Sequence, residues 1–347
     1  MIDRRNLFAN AYDGDISDAM ELMKQIAQSC HRGAIVGIHG HPGKTKAGEF
    51  TIIAEQVSPL ADCPKNLPMM NWNHKKTLKD GEKRFQQRYL DLIVNSELKS
   101  FFKTRAKLIR YLRNYLDERD FLEVETPILN AQAGGALAKP FLTKSEELDQ
   151  NLELRIAPEL FLKQLIISGF DRVYEIGKVF RNEGIDSTHN PEFSSLEFYM
   201  AHADYQDLMV MTQDMLRGMI TELRGEQTVE IPVFDIDAKD LTRSLNEESE
   251  VAKKTMLLDF AQTFPKYDVM EELGLDPLDL GNLDLLRPKL RQMLLSDNLA
   301  EGFVNEMNDK QLFDKLIESR IESKCGATPA FIINHPLLMS PLAKSHA

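Results

Sequence analysis

The chain has 347 residues, more than one typical domain needs, so a sizeable core and two domains are expected. Apolar residues make up 43% and charged residues 28% of it, which fits a globular protein and excludes fibrous and low-complexity classes. No apolar run approaches a membrane span, and Met1-Ile-Asp-Arg-Arg-Asn lacks the apolar core of a signal peptide, so the expected compartment is the cytosol, with no membrane partner. Cys30, Cys63 and Cys325 are scattered and form no paired motif, which argues for reduced thiols and against a disulfide framework or a zinc site. The net charge of −12 runs against a nucleic-acid partner, yet its distribution is uneven: between Lys65 and Arg119 stand 14 Lys and Arg against 6 Asp and Glu. That segment can face RNA or be the solvated side of a helix.

In chain order, Ile16 to Ser29 shows helical spacing of Ile16, Met20, Met23 and Ala27, with Gly33 as its stop. Ala34–Ile38 and Phe50–Ile53 read as strands joined by a loop from His39 to Glu49. Within that loop Gly40-His-Pro-Gly-Lys-Thr45 superficially matches a phosphate-binding loop, but position 38 is Ile where the motif needs Gly, and a strand follows where it needs a helix. Pro59 to Trp72 has the Pro and Asn content of a linker. Glu97 to Glu118 is a strongly amphipathic helix with a stripe of Leu98, Phe101, Phe102, Leu108, Ile109, Leu112, Tyr115 and Leu116, which needs a core or a partner. A short strand, Phe121–Glu125, follows it. Later, Gln206–Leu223 reads as an amphipathic helix and Val251–Lys324 as largely helical.

The chemistry concentrates between Arg172 and Met200. Val173–Phe180 and Ser194–Met200 read as the strands of a long-looped antiparallel hairpin, with Gly184, Asn190 and Pro191 in the loop. Alternation puts Leu196, Phe198 and Met200 on one face of the second strand and Ser195, Glu197 and Tyr199 on the other. Glu197 and Tyr199 together can accept and orient an ammonium group. Arg181, arriving at the mouth of the loop, can grip a phosphate, with Glu183 and His189 nearby and Phe193 free to stack on a base. Equally, these residues could be ordinary cross-strand ion pairs on a solvated sheet face.

The string Phe180-Arg-Asn-Glu-Gly-Ile-Asp with Thr188-His-Asn-Pro-Glu-Phe and Glu197-Phe-Tyr-Met-Ala resembles motif 2 of class II aminoacyl-tRNA synthetases, and within them lysyl-tRNA synthetases. Leu154-Arg-Ile-Ala-Pro-Glu159-Leu-Phe-Leu-Lys163, Phe121-Leu-Glu-Val-Glu-Thr-Pro127, Gly134-Gly-Ala-Leu-Ala-Lys-Pro-Phe141, Arg84-Phe-Gln-Gln-Arg-Tyr-Leu-Asp-Leu92 and Met339-Ser-Pro-Leu-Ala-Lys344 agree in the same order. The resemblance implies an α+β fold, an antiparallel sheet flanked by helices, preceded by a partial OB-fold barrel. Its domains are an anticodon-binding part over 1–70, a linker over 71–95 and a catalytic part over 96–347. It implies ATP-dependent activation of lysine and transfer to tRNA(Lys) by a cytoplasmic homodimer, the dimer formed through the 97–125 region, with ATP and magnesium as cofactors. Carried over by position, Arg181 is the catalytic residue and binds the α-phosphate; Glu183, His189, Asn190 and Phe193 complete the ATP site; Gly135, Glu159, Glu197 and Tyr199 bind lysine. No metal ligand is assigned. Glu159, following Pro158, has a plainer role open to it as a helix-dipole partner, and Lys139 and Lys163, equally readable as surface charges, are left out of the site.

Two departures from the family pattern raise a second expectation. The opening strands of the OB-fold and a Gly-x-Gly-x-x-Arg-like motif 3 are not recognisable, and neither are the acidic magnesium ligands expected beyond Lys344, so the chain reads as truncated at both ends. The alternative to a lysine-tRNA ligase is accordingly a non-catalytic dimerising or binding fragment or paralogue. A ligase that lysylates protein is disfavoured, because those relatives lack the anticodon domain.

Overall fold

The computed structural model describes residues 33–44, 47–63, 80–186, 189–233, 254–276, 283–297, 299–326 and 328–339, with isolated positions 24, 28, 78 and 343. It divides into two compact units, Met1–Lys99 and Ser100–Ala347. The helix expected over Ile16–Ser29 falls outside the described residues apart from Lys24 and Gln28, as does most of the linker expected from Pro59 to Trp72, of which only 59–63 are described.

In the first unit β1 (Ile35–Lys44) pairs antiparallel with β2 (Phe50–Ala61). Both are longer than expected from sequence: pairing runs on through Gly40, Pro42 and Gly43 to Lys44 opposite Phe50. A register irregularity falls at His39/Gly40, where a bulge tolerates glycine, while Pro42 and Gly43 stand in continuous register opposite Ile52 and Thr51. The stretch Gly40–Lys44, taken from its glycines as loop, is therefore strand. Two short helices follow, α1 (Gly81–Gln86) and α2 (Arg88–Val94), where the sequence reading places a linker. They close around Asp91, fully buried, which accepts hydrogen bonds from Arg84 Nε at 2.9 Å, from Asn95 Nδ2 at 2.7 Å and from Arg88. Burial pushes the Asp91 carboxyl up, but the bonds from Asn95 and Arg84 and the two guanidinium charges outweigh it and hold the group below the usual carboxylate range.

The second unit opens with α3 (Lys99–Asp117), whose Tyr115 and Leu116 are buried while Phe101 and Phe102 remain 68% and 53% exposed. A three-stranded sheet follows in the order β3 (Leu122–Glu123), β7 (Arg172–Phe180), β8 (Glu192–Met200), with β3 parallel to β7 and β8 antiparallel to it. A second sheet is antiparallel in the order β4 (Leu129–Asn130), β6 (Gln150–Leu154), β5 (Leu142–Ser145). Helix α4 (Glu159–Ile167) lies between β6 and β7, and α5 (Tyr205–Arg224) follows β8, started by an Asp204–Asp207 capping box and stopped by Gly225. Leu196, Phe198 and Met200 of β8 and Tyr174 and Ile176 of β7 pack with Tyr115, Leu116 and Phe121, so the apolar face of the hairpin is sealed against helices and the opposite face is free for chemistry.

The region expected to be helical from Val251 begins instead with a strand. β10 (Lys254–Asp259) pairs antiparallel with β9 (Thr228–Val233), and β11 (Lys266–Asp268) runs parallel to β12 (Phe331–Ile333). Each partner lies far off in sequence, so no local spacing signals the pairing. The helices α6 (Val269–Leu273), α7 (Leu283–Ser296), α8 (Glu301–Glu306) and α9 (Asp309–Arg320) come next, around a core that includes Leu290, Leu294, Leu312, Phe313 and Leu316.

Beneath the hairpin lies a buried charge network. Arg155 and Glu175, with side chains 2% and 4% exposed, are ion-paired at 2.5 Å. Arg155 also donates from Nε to the Lys178 carbonyl at 2.8 Å and from Nη1 to Thr126 Oγ1 at 3.0 Å, and Thr126 Oγ1 donates to Glu175 at 2.7 Å. The guanidinium occupies the space that a side chain at 177 would fill: a Cβ on Gly177 would stand 2.2 Å from Arg155 Nη2 and 2.8 Å from Glu175 Oε1. Because the Arg155 guanidinium is held through Nε and Nη1, Glu175 Oε1 is bonded to that Nη1, and both side chains are shut off from water, Gly177→Ala is expected to cost about 1–3 kcal/mol through overpacking. The helical Gly302, with nothing within 4 Å of its Cβ position, is the control, and Gly302→Ala should be neutral or stabilising by up to about 1 kcal/mol. Urea unfolding of both variants checks this; equal stabilities would show that Arg155 is free to retreat.

Candidate active site

Cross-strand register places the polar face of the hairpin residue by residue. Val173 lies opposite Tyr199, Glu175 opposite Glu197, Gly177 opposite Ser195 and Val179 opposite Phe193. Glu197 and Tyr199 point the same way, as their spacing of two requires, and the Tyr199 hydroxyl donates to Glu197 Oε2 at 3.1 Å. Both are half-buried. Burial first, then the negative charges of Glu159 and Glu175, push the Glu197 carboxyl above the usual range, against the opposing pull of the Tyr199 bond and the Arg181 guanidinium. Tyr199 is pushed well up by burial and by Glu197 and Glu159. Such a site is short of positive charge, and a bound cation would relieve it.

Glu159 opens α4 under the same pocket, and Lys163, one turn along, pairs with it. Gly135 closes this side: its φ is +88°, and a Cβ there would stand 3.0 Å from Glu159 Cβ and 3.3 Å from Ala157 Cβ. Only glycine suits both the left-handed backbone and the close approach. The Asn182 N–H donates to the Lys139 carbonyl at 2.7 Å, tying the segment after Gly135 to the segment after β7.

At the other end of the hairpin, Arg181, Glu183, Gly184, His189, Asn190 and Phe193 line one cavity of about 240 Å³. The Arg181 guanidinium lies 5.2 Å from the centre of the Phe193 ring, and its Nε donates to the Ile156 carbonyl at 3.4 Å. His189 is fixed to Asp186 through its backbone N–H at 2.8 Å and through Nδ1 at 2.8 Å. Of the nine residues singled out in the sequence, Arg181, Glu183, His189, Asn190 and Phe193 line this cavity, while Gly135 lies against Glu159, whose charge reaches Glu197 and Tyr199. Among the described residues no three Asp, Glu, His or Cys side chains converge as metal ligands, and the two pocket carboxylates are engaged by Lys163 and Tyr199, so these residues do not make a fitting magnesium site.

Sequence reasoning missed Thr126, Arg155 and Glu175 beneath the site and passed over Lys163 as a surface charge. Its four-residue distance from Glu159 on a helix was the available signal for Lys163; a lone Arg at the end of the apolar-flanked run Leu154-Arg-Ile-Ala was the signal for Arg155.

A family profile described as tRNA synthetases class II (D, K and N) matches residues 80–347. The chain belongs to that family. Among curated relatives, the "Probable lysine--tRNA ligase, cytoplasmic" of Encephalitozoon cuniculi is 42% identical over 326 residues, 93% of this chain and 60% of the relative. The "Lysine--tRNA ligase cla4" of Cladosporium cladosporioides is 42% identical over 325 residues, 91% and 51% of the two chains, and the "Lysine--tRNA ligase" of Roseiflexus castenholzii 38% over 331 residues, 95% and 61%. This class II synthetase chain therefore spans between about half and three fifths of the length of these relatives. Its α+β sheets and helices agree with the architecture expected of the class, and no helix among the described residues is long and apolar enough to cross a membrane.

The raised Glu197 carboxyl gives the site a pH signature. An acid whose folded pKa lies above its unfolded one stabilises the fold while protonated, and that contribution is lost as pH rises through the folded value. Glu197→Gln should therefore match the native chain in acid, below the ordinary glutamate pKa of about 4.3, and be the more stable of the two at neutral pH. Urea unfolding at both pH values measures the difference. A variant less stable than the native chain at neutral pH would show that the ionised carboxylate is not the strained form.

Proposed function

We propose that the protein is a lysine-tRNA ligase, activating lysine with ATP to lysyl-adenylate and passing the lysyl group to tRNA(Lys). The observation that carries this reading is the hollow formed by Glu197, Tyr199 and Glu159, half-buried and electron-rich, beside a cavity walled by Phe193 and headed by Arg181. Lysine brings two ammonium groups. Its ε-ammonium fits Glu197 and the Tyr199 oxygen, and its α-ammonium fits Glu159, which leaves the carboxylate directed towards Arg181. ATP fits the neighbouring cavity, with adenine stacked on Phe193, Asn190 supporting it, Glu183 and His189 along the nucleotide, and the α-phosphate at Arg181.

In the first step a lysine carboxylate oxygen attacks the α-phosphorus, the bond to the β-phosphate breaks, and pyrophosphate leaves. Negative charge accumulates on the α-phosphoryl oxygens in the transition state, where the fixed Arg181 guanidinium meets it; pre-set electrostatics of this kind, with the positioning of both reactants, supply most of the catalysis in such reactions. In the second step a terminal tRNA hydroxyl attacks the lysyl carbonyl and AMP departs. The basic stretch from Lys65 to Arg119 supports contact with the tRNA backbone. Homodimerisation through α3 is supported by its exposed Phe101 and Phe102, and a cytoplasmic location by the printed names of two relatives.

Lysine binding measured by titration calorimetry tests the proposal. Glu197→Ala removes the counter-charge of a partly buried ammonium and is expected to weaken lysine by about 3 kcal/mol, roughly a hundredfold, while nucleotide binding is retained. Equal binding by variant and native chain would remove Glu197 from the site. Binding of both ligands without adenylate formation would favour the non-catalytic reading.

A further inference from the structure

Helix α4 begins in an unusual way. Its N-cap is Pro158, which has no side-chain group to cap the first turn, and the first hydrogen bond of the helix runs from the Leu162 N–H to the Pro158 carbonyl at 3.1 Å. The N–H groups of Glu159, Leu160 and Phe161 thus lack carbonyl partners within the helix, as in any first turn. A first-turn glutamate is the natural acceptor for them and is drawn the same way by the helix dipole. Left to itself, Glu159 would fold back onto its own helix. The structure shows it elsewhere: its carboxylate, 17% exposed, is paired with Lys163, 42% exposed, and lies close enough to Glu197 and Tyr199 to raise both.

We propose that Lys163 is a positioning residue for the amino-acid subsite: its ammonium holds the Glu159 carboxylate out along the helix face, so that the free carboxylate oxygen meets the α-ammonium of lysine. The inference rests on the lysine reading above and adds to it the origin of the subsite's geometry. Lys163 touches no reacting atom; it acts through Glu159. Lys163 on its own helix pairs with Glu159, Glu197 and Tyr199 on β8 lie within its electrostatic reach, and Arg181 after β7 and Glu175 on β7 act on Glu197. Glu197 repels the Glu159 carboxylate, so the ammonium of Lys163 also offsets the cost of keeping two carboxylates in one hollow before substrate arrives.

The test compares two ligands on three forms of the protein. Lysine and 6-aminohexanoate, which is lysine without its α-amino group, are titrated calorimetrically into the native chain, Lys163→Met and Lys163→Arg. Lys163→Met keeps the stem and the helix propensity. It is expected to weaken lysine roughly three- to tenfold, the scale of a partly exposed charge pair with its ordering effect, and to leave 6-aminohexanoate within about twofold. Lys163→Arg is expected to restore lysine. An equal loss for both ligands would mean a general packing role and overturn the proposal, as would unchanged or tighter lysine binding by Lys163→Met. If the native chain binds neither ligand, the lysine reading fails and Lys163 loses its role with it; if the native chain binds lysine and only the variant pattern fails, the assignment of Lys163 alone is wrong.

Discussion

The pairing of Arg155 with Glu175 organises everything around it. Both side chains are almost wholly withdrawn from water, so each depends on the other and on Thr126 for the hydrogen bonds it has lost. Replacing such a pair by apolar groups is often neutral, but removing one partner leaves an unpaired buried charge at a cost of about 3–5 kcal/mol. Its structural value is therefore specification: the guanidinium fits only over Gly177, only beside Glu175, and only within reach of the Lys178 carbonyl. The backbone of Arg155 adds to this, since its N–H bonds the Ile128 carbonyl at 2.9 Å and its carbonyl accepts from the Phe180 N–H at 3.0 Å. Two sheets are pinned together at one residue, and four residues later the chain delivers Glu159 to the pocket.

The hairpin then separates stability from chemistry by the period of two. One face of β7 and β8 carries Tyr174, Ile176, Leu196, Phe198 and Met200 into the core, and the other carries Glu175, Glu197 and Tyr199. A site mounted on two paired strands, themselves clamped from below, holds its carboxylates to a narrow geometry. Among the described residues between the strands, His189 is bonded to Asp186 and the Arg181 N–H donates to the Pro191 carbonyl at 2.9 Å.

Charge in the pocket is deliberately unbalanced. Glu159, Glu197 and Tyr199 lie within electrostatic reach of one another, and burial together with the neighbouring negative charge pushes Glu197 and Tyr199 upward. Lys163 and Arg181 offset that only in part, each from one side. The guanidinium of Arg181 lies 5.2 Å from the centre of the Phe193 ring, on the wall of the adjoining cavity.

Local patterns in the sequence determined the elements and the faces: the α3 stripe, the alternation that puts Glu197 beside Tyr199, and the start of α4 after Pro158 are short-range consequences of helical and strand periods. The motif strings also marked Arg181, Glu183, His189, Asn190 and Phe193, which the structure brings to one cavity. Tertiary structure decided what no local period encodes. Whether Arg155 is a surface charge or a buried keystone depends on Glu175 and Thr126, 20 and 29 residues away. The strand at Lys254–Asp259 forms only because Thr228–Val233 is there to pair with it, and β1 runs on through Gly40 and Pro42 because β2 pairs with it that far. For Arg155 and for the strand at Lys254–Asp259 the deciding partner lies about 20 residues or more away. Burial and pairing across such distances are properties of the assembled chain, so the same residues read in isolation show only a charge, a polar stretch or a turn.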